Sequence, residues 1–138
     1  MNQLTSLYSE AAVLDIDVMC IDTKKIQSVS LLSESGNCYI GINPFALQTT
    51  ADELVHLAHE IGHCTTGAFY NLYSPLDIRA KHERRANIWA IKKLIPEDEF
   101  KKIYQSGCTD PWELAEHFGV TMNFMNMVIK HYLEKQVG

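Results

Sequence analysis

Between Val13 and Ile21 apolar and acidic residues alternate in "VLDIDVMCID", the period of two that marks a half-buried strand. A second alternating run, "IQSVSLLS", is followed by "ESGN" and then "CYIGI", where Gly36-Asn37 between strand formers predicts a hairpin turn. Residues 3–12, ahead of these, read as a short helix. The first third of the chain therefore predicts three strands in one small twisted sheet. Asn43-Pro44 ends the last of them, because proline donates no ladder hydrogen bond and biases its predecessor away from helix.

From there the pattern turns helical. Thr50 with Glu53 three residues on predicts a capping box for a helix reaching about Cys64, and Gly67 lies just beyond, where a helix can stop. A loop, "GAFYNLYSPLD", leads to a helix from about Ile78 to Ile95, stopped by Pro96. Further helices are predicted near 97–105, 111–118 and 122–135, the second started by Asp110 as N-cap, Pro111 in the first turn and Glu113 at the box position. Strands first and helices after define an α+β fold, a small three-stranded twisted sheet followed by a bundle of about five helices. At 138 residues, with no repeat or linker, this predicts a single domain over 1–138.

Composition narrows the setting. A 46% hydrophobic and 21% charged chain is that of an ordinary globular protein. The N-terminus lacks a basic n-region and carries Glu10, Asp15 and Asp17, which makes it a poor signal peptide, and no apolar run has the length of a membrane span. The expected location is the cytoplasm. Cys20, Cys38, Cys64 and Cys108 form no CxxC pair, which predicts reduced, mostly buried thiols. A net charge of −5 argues against general nucleic-acid affinity. Arg79, Lys81, Arg84, Arg85, Lys92, Lys93, Lys101 and Lys102 nevertheless cluster, and are read as the solvated face of two amphipathic helices.

The chemistry is concentrated in "HLAHEIGHCTTG", residues 56–67, where His59, Glu60 and His63 spell H-E-x-x-H. Four residues apart on a helix, two imidazoles lie on one face and reach one metal ion. Glu60, one step round, can take a proton from a water activated by that ion without being a ligand. Gly62 leaves the helix surface open beside the pair. A catalytic zinc takes three protein ligands, so a third is sought on a following helix, among Asp77, His82 and Glu83. Ala86 and Ala90 share a face with Glu83 and would let two helices approach closely, whereas Asp77 looks more like an N-cap.

"HEIGH" followed about 20 residues on by "HERRANIWAIKKLIP" resembles the ImmA/IrrE family of bacterial and phage metallopeptidases. The matching positions are Glu83, Ala86, Asn87, Leu94 and Pro96, and the likeness runs over about residues 38–135, including the tail "LAEHFGVTMNFMNMVIKHY". Trp89 stands where the family often has Phe, and His56 where it has an aromatic or other residue. The resemblance implies a zincin-like fold, one Zn²⁺ held by His59, His63 and Glu83, and Glu60 as catalytic base. It further implies a protein substrate, a helix-turn-helix repressor of a phage, mobile element or stress operon, so that the enzyme acts as an anti-repressor.

Other readings remain beside it. His56 is read first as a partly exposed side chain, with an orienting role near the metal as the minor alternative; His82, Tyr70 or Tyr73 would be an oxyanion stabiliser, and the sequence does not choose among these three. "CYIGI" is read as an ordinary sheet strand that could also lie along the cleft and hold an extended peptide. "DPWELAEHFGVTMNFMNMVIK" resembles a helix-turn-helix DNA reader, but its second helix offers only Lys130 as a cation. Met122, Phe124, Met125, Met127 and Val128 read instead as core or as a protein-docking groove. The competing function is a non-catalytic regulatory or toxin–antitoxin component that acts by protein binding. The competing metal site is a structural zinc with a fourth protein ligand. Manganese or iron could occupy such donors when zinc is scarce.

Overall fold

Asn2 accepts a hydrogen bond from the Thr5 backbone N–H at 2.8 Å and so starts helix α1 (Gln3–Val13). In the computed structural model, which describes residues 2–70 and 73–134, α1 leads into β1 (Asp17–Cys20), β2 (Ser28–Leu32) and β3 (Cys38–Ile42). Helices α2 (Thr50–Thr66), α3 (Leu76–Leu94), α4 (Glu97–Gln105), α5 (Pro111–Phe118) and α6 (Met122–Leu133) follow. This is the expected α+β fold, with five helices after the sheet among the described residues. Lys135, the expected end of the last helix, lies outside the described residues, as do Asn71 and Leu72 of the loop before α3.

The hairpin forms where Gly36-Asn37 predicted it: Ser33 N–H donates to Asn37 O at 2.8 Å, and β2 pairs antiparallel with β3. The third strand arrives differently. β1 pairs with β3 in parallel, from Asp17 opposite Tyr39 to Cys20 opposite Ile42, giving the order β1-β3-β2. Asn43, buried, fixes the β1–β2 connection by donating from Nδ2 to the carbonyls of Thr23 and Ile26 at 2.7 and 2.9 Å. With a partner on each side, β3 has no free edge, so "CYIGI" does not run along a cleft as an exposed strand. That edge belongs to β2.

Helix α2 begins one residue earlier than the Thr50 box predicts. Thr49 is the N-cap: its Oγ1 accepts from Asp52 N–H at 3.0 Å and donates to the Asp52 carboxylate at 2.9 Å. Glu53 is thereby left to Tyr8 of α1, whose hydroxyl donates to it at 2.5 Å. Leu54, Leu57, Ala58 and Ile61 recur at helical spacing and are buried, on a helix packed against α1, β2 and β3. Each buried leucine or isoleucine of this stripe contributes about 1.5–3 kcal/mol. The helix stops at Gly67, whose left-handed φ of 66° costs a residue without a Cβ nothing and turns the chain back on itself. Asp77 sits inside the first turn of α3 rather than at its N-cap.

The chain divides into two compact units, residues 1–90 and 91–138. The first holds α1, the sheet, α2 and most of α3. In the second, Phe100, Leu114, Phe124, Val128 and Tyr132 are buried, and the rings of Phe100 and Tyr132 lie 5.4 Å apart. The Tyr132 hydroxyl donates to Ile95 O at 2.6 Å, so the aromatic brings its polar atom into the interior with a partner. Phe124, Met125 and Val128 are therefore core, while Met122 is exposed. No helix among the described residues is long and apolar enough to cross a membrane.

The cysteines depart from expectation. Cys38, first residue of β3, and Cys64, near the end of α2, form a disulfide with Cα atoms 5.9 Å apart; Cys20 and Cys108 are free. Their sequence separation of 26 residues hid the pairing, which the hairpin and helix bring together. Closing such a loop stabilises a domain by roughly 3 kcal/mol in the chain-entropy account. Alkylation of the denatured protein without reductant, counted by intact mass, will modify only Cys20 and Cys108, and all four positions after reduction. Four adducts before reduction would show that the cross-link is absent.

Candidate metal centre

The site is built on α2 and completed by α3. Gly62 faces the backbone of Ala86: a Cβ at position 62 would meet Ala86 O at 2.7 Å and Ala86 Cα at 3.2 Å. Ala86 and Ala90 are fully buried on the opposing helix, as their small size predicts. One turn before this contact, Glu83 is brought to the two histidines. Its Oε2 lies 2.8 Å from His59 Nε2 and its Oε1 lies 3.1 Å from His63 Nε2. Of the three candidates for a third ligand, the structure brings Glu83 into the group; among the described residues, His59, His63 and Glu83 form the one cluster that could hold a metal ion.

The outer nitrogens of the imidazoles decide what the inner ones are for. His63 Nδ1 lies 2.5 Å from Ala68 O, which the Gly67 turn folds back over the ring. A carbonyl only accepts, so Nδ1 carries the proton. His59 Nδ1 stands 2.7 Å from Asn87 Oδ1, the same arrangement with an amide oxygen. Both neutral rings then present Nε2 lone pairs, 3.1 Å from each other and within reach of a carboxylate. Three electron-rich donors so arranged repel unless a proton or a cation lies among them, and a nitrogen-and-carboxylate set suits a divalent transition metal.

Electrostatics carry the same demand. Where a proton rather than a cation lies between Nε2 and the carboxylate, hydrogen bonds from His59, then His63, hold Glu83 far below the usual carboxylate range against the opposing effect of burial, with the Tyr70 hydroxyl adding to them at 2.8 Å. For His63 burial alone would lower the pKa, but the bonds to Glu83 and to the Ala68 carbonyl outweigh it and the net shift is upward. Burial, then Glu83, raises Tyr70. Tyr70 also stacks on His82, ring centroids 6.2 Å apart, and the His82 Nδ1 is buried without a hydrogen-bond partner.

Glu60 is 6% exposed and forms no part of the ligand cluster. Its Oε2 accepts from Ser28 Oγ of β2 at 2.6 Å, and the same Oγ lies 3.1 Å from His56 Nδ1. His56 is partly exposed, as expected, and its contact is with the network of Glu60. A cleft of about 580 Å³ runs over all of these residues, walled by β2 and the segment before it on one side and by Phe69 and Tyr70 on another. Ser28 and the role of Asn87 escaped sequence reasoning. Asn87 sits four residues after Glu83, a spacing that could have placed it beside the ligands; for Ser28 no local signal exists.

An α+β fold that turns two histidines four residues apart and a glutamate from the next helix toward one point is the architecture of a metallopeptidase. The chain belongs to the IrrE N-terminal-like domain family of peptidases, matching it over residues 11–130. No curated protein and no solved structure matches it.

Two substitutions test the construction. Gly62→Ala will lower unfolding free energy by about 1–3 kcal/mol in chemical denaturation, because backbone must shift, and will weaken binding of a divalent metal ion as Glu83 moves away. Asn87→Ala will weaken binding of that ion about 10–100-fold with a stability change under about 1 kcal/mol, since it frees the His59 ring. Competition with a chromophoric chelator measures both affinities, and wild-type affinity in either variant would contradict the geometry.

Proposed function

We propose that the chain is a zinc-dependent endopeptidase of one domain, 1–138, in which His59, His63 and Glu83 hold one Zn²⁺ and Glu60 is the general base. The observation that carries this is the pair of Nδ1 hydrogen bonds, to Ala68 O and Asn87 Oδ1, that leaves both Nε2 atoms turned toward Glu83. Three protein donors among the described residues, rather than four, is the count of a catalytic zinc and not of a structural one. Manganese or iron would find the same donors acceptable. A divalent ion bound there supplies Lewis acidity, lowering the pKa of water and polarising a peptide carbonyl.

The chain's own residues do the rest. Ser28 holds one oxygen of Glu60; the carboxylate accepts a proton from the attacking water and returns it to the departing amine, so that neither the nucleophile nor the leaving group carries unmatched charge. The cleft leaves room along β2 for an extended segment of substrate, and Tyr70 stands at its wall with a hydroxyl bonded to Glu83.

The substrate of this reading is a helix-turn-helix transcriptional repressor encoded near the enzyme on a phage, mobile element or stress operon, and its cleavage relieves repression. The family supports a protein substrate, and the resemblance of "HEIGH" and "HERRANIWAIKKLIP" supports the repressor. Such a substrate places the enzyme in the cytoplasm, where disulfides are uncommon, so the state of Cys38 and Cys64 bears on this location. Direct binding of nucleic acid is not part of the reading.

Glu60→Gln will retain one equivalent of zinc and lose repressor cleavage by at least about 10²-fold, the usual share of a general base. Gel analysis of the neighbouring repressor after incubation with enzyme reads this directly. Persistence of derepression in cells carrying the variant would favour the alternative, a regulatory or toxin–antitoxin component that acts by binding alone.

A further inference from the structure

We infer that Ser28 is a positioning residue for Glu60 and that His56 in turn orients Ser28, in a directed chain of hydrogen bonds from α2 to β2 and back to α2. The inference rests on the reading of Glu60 as base. Its geometry is independent of that reading.

His56 and Glu60 are four residues apart on α2, and Ser28, the first residue of β2, sits against both. A serine hydroxyl has one proton to give. Here it goes to Glu60 Oε2, the closer partner at 2.6 Å and the stronger acceptor, because a carboxylate draws a charge-assisted bond. Oγ at 3.1 Å from His56 Nδ1 must then accept, which places the ring proton of His56 on Nδ1 and leaves Nε2 as its acceptor nitrogen. Burial, the largest influence on His56, lowers its pKa, in keeping with a neutral ring that has a single proton to place.

The consequence is directional. Glu60 is a buried side chain on a helix, and the terminal carboxylate torsion of a glutamate is soft. Ser28 removes that freedom from outside the helix, because its backbone is fixed in the sheet opposite Ile42. One oxygen is engaged with the strand, and the other is the one presented for proton transfer. A base held in one orientation contributes its full share; one that rotates contributes only for the fraction of time it is aligned. Ser28 touches neither the ligand set nor, in this account, the reacting atoms, so its effect falls on turnover and not on metal binding.

Two measurements test the chain of bonds. First, long-range ¹H–¹⁵N correlation on ring-labelled protein should show His56 protonated at Nδ1 in the wild type and should lose that preference in Ser28→Ala; a wild-type His56 protonated at Nε2 overturns the direction of the relay. Second, kinetics on a quenched fluorogenic peptide, chosen from a library because the zinc-loaded wild type cleaves it, should show kcat reduced about 10–100-fold in Ser28→Ala with KM and zinc content unchanged, the range for losing one hydrogen bond to a charged group. Ser28→Thr, which keeps the hydroxyl, should recover most of that loss. His56→Ala should cost less than Ser28→Ala, and the double variant should be no worse than Ser28→Ala alone. Equal loss in the Thr variant, or independent losses that multiply, would reduce Ser28 to a packing residue. Cleavage that survives Glu60→Gln would instead remove the base reading while leaving the His56 tautomer result standing.

Discussion

The constraint on which the site depends is the contact between Gly62 and the backbone of Ala86. Helices ordinarily keep their axes 8–10 Å apart because side chains stand between them. Here one helix offers no side chain and the other offers a methyl group, so the backbones themselves meet. The result is chemical as well as structural. A glutamate side chain is short, and Glu83 spans the distance to both Nε2 atoms only because its helix is that near. Bulk at position 62 would separate the carboxylate from the imidazoles before it affected anything else in the site.

Around that contact, each polar group is held by a partner that is not itself a donor of the cluster. His63 is oriented by the Ala68 carbonyl, which exists in that place because Gly67 turns the chain. His59 is oriented by Asn87 and Glu83 is met by Tyr70. Glu60 is tied instead to the sheet, through Ser28. The cluster of His59, His63 and Glu83 thus depends on the approach of α2 and α3, and Glu60 depends on the approach of α2 and β2. These are separable dependencies, and in the proposed reading a base placed beside a metal without binding it gains from having them separate.

What could be read from the sequence was local or periodic. The turn at Gly36-Asn37, the Asp110 cap, the stop at Pro96 and the i, i+4 histidines each depend on a few neighbouring residues, and each lies where it was expected. Glu83 was legible because Ala86 and Ala90 advertised a close helix contact. The N-cap at Thr49 rather than Thr50 was a choice between adjacent threonines, settled by Asp52 returning the hydrogen bond. The rest was out of reach for one reason: it depends on how distant segments meet. The parallel pairing of β1 with β3 decides that β2 and not β3 borders the cleft, and no strand pattern encodes it. Ser28 is one polar residue in an alternating strand until the sheet is laid on α2, and Cys38 and Cys64 are two scattered thiols until the hairpin is.

Taken along its length, α2 is anchored at nearly every turn. Glu53 is bonded by Tyr8 of α1, His56 and Glu60 by Ser28 of β2, Gly62 is pressed on α3, and Cys64 is covalently joined to β3. The polar anchors and the apolar stripe of Leu54, Leu57 and Ile61 leave this helix little freedom to slide or rotate. Electrostatic catalysis requires that condition, since a base and a cation can be kept at a fixed separation only by elements that do not relax toward each other. The residues that would act on a substrate are therefore concentrated on a helix held by α1, β2, β3 and α3. The described residues from 91 to 134, with a buried cluster of their own around Phe100, Phe124 and Tyr132, contribute none of them.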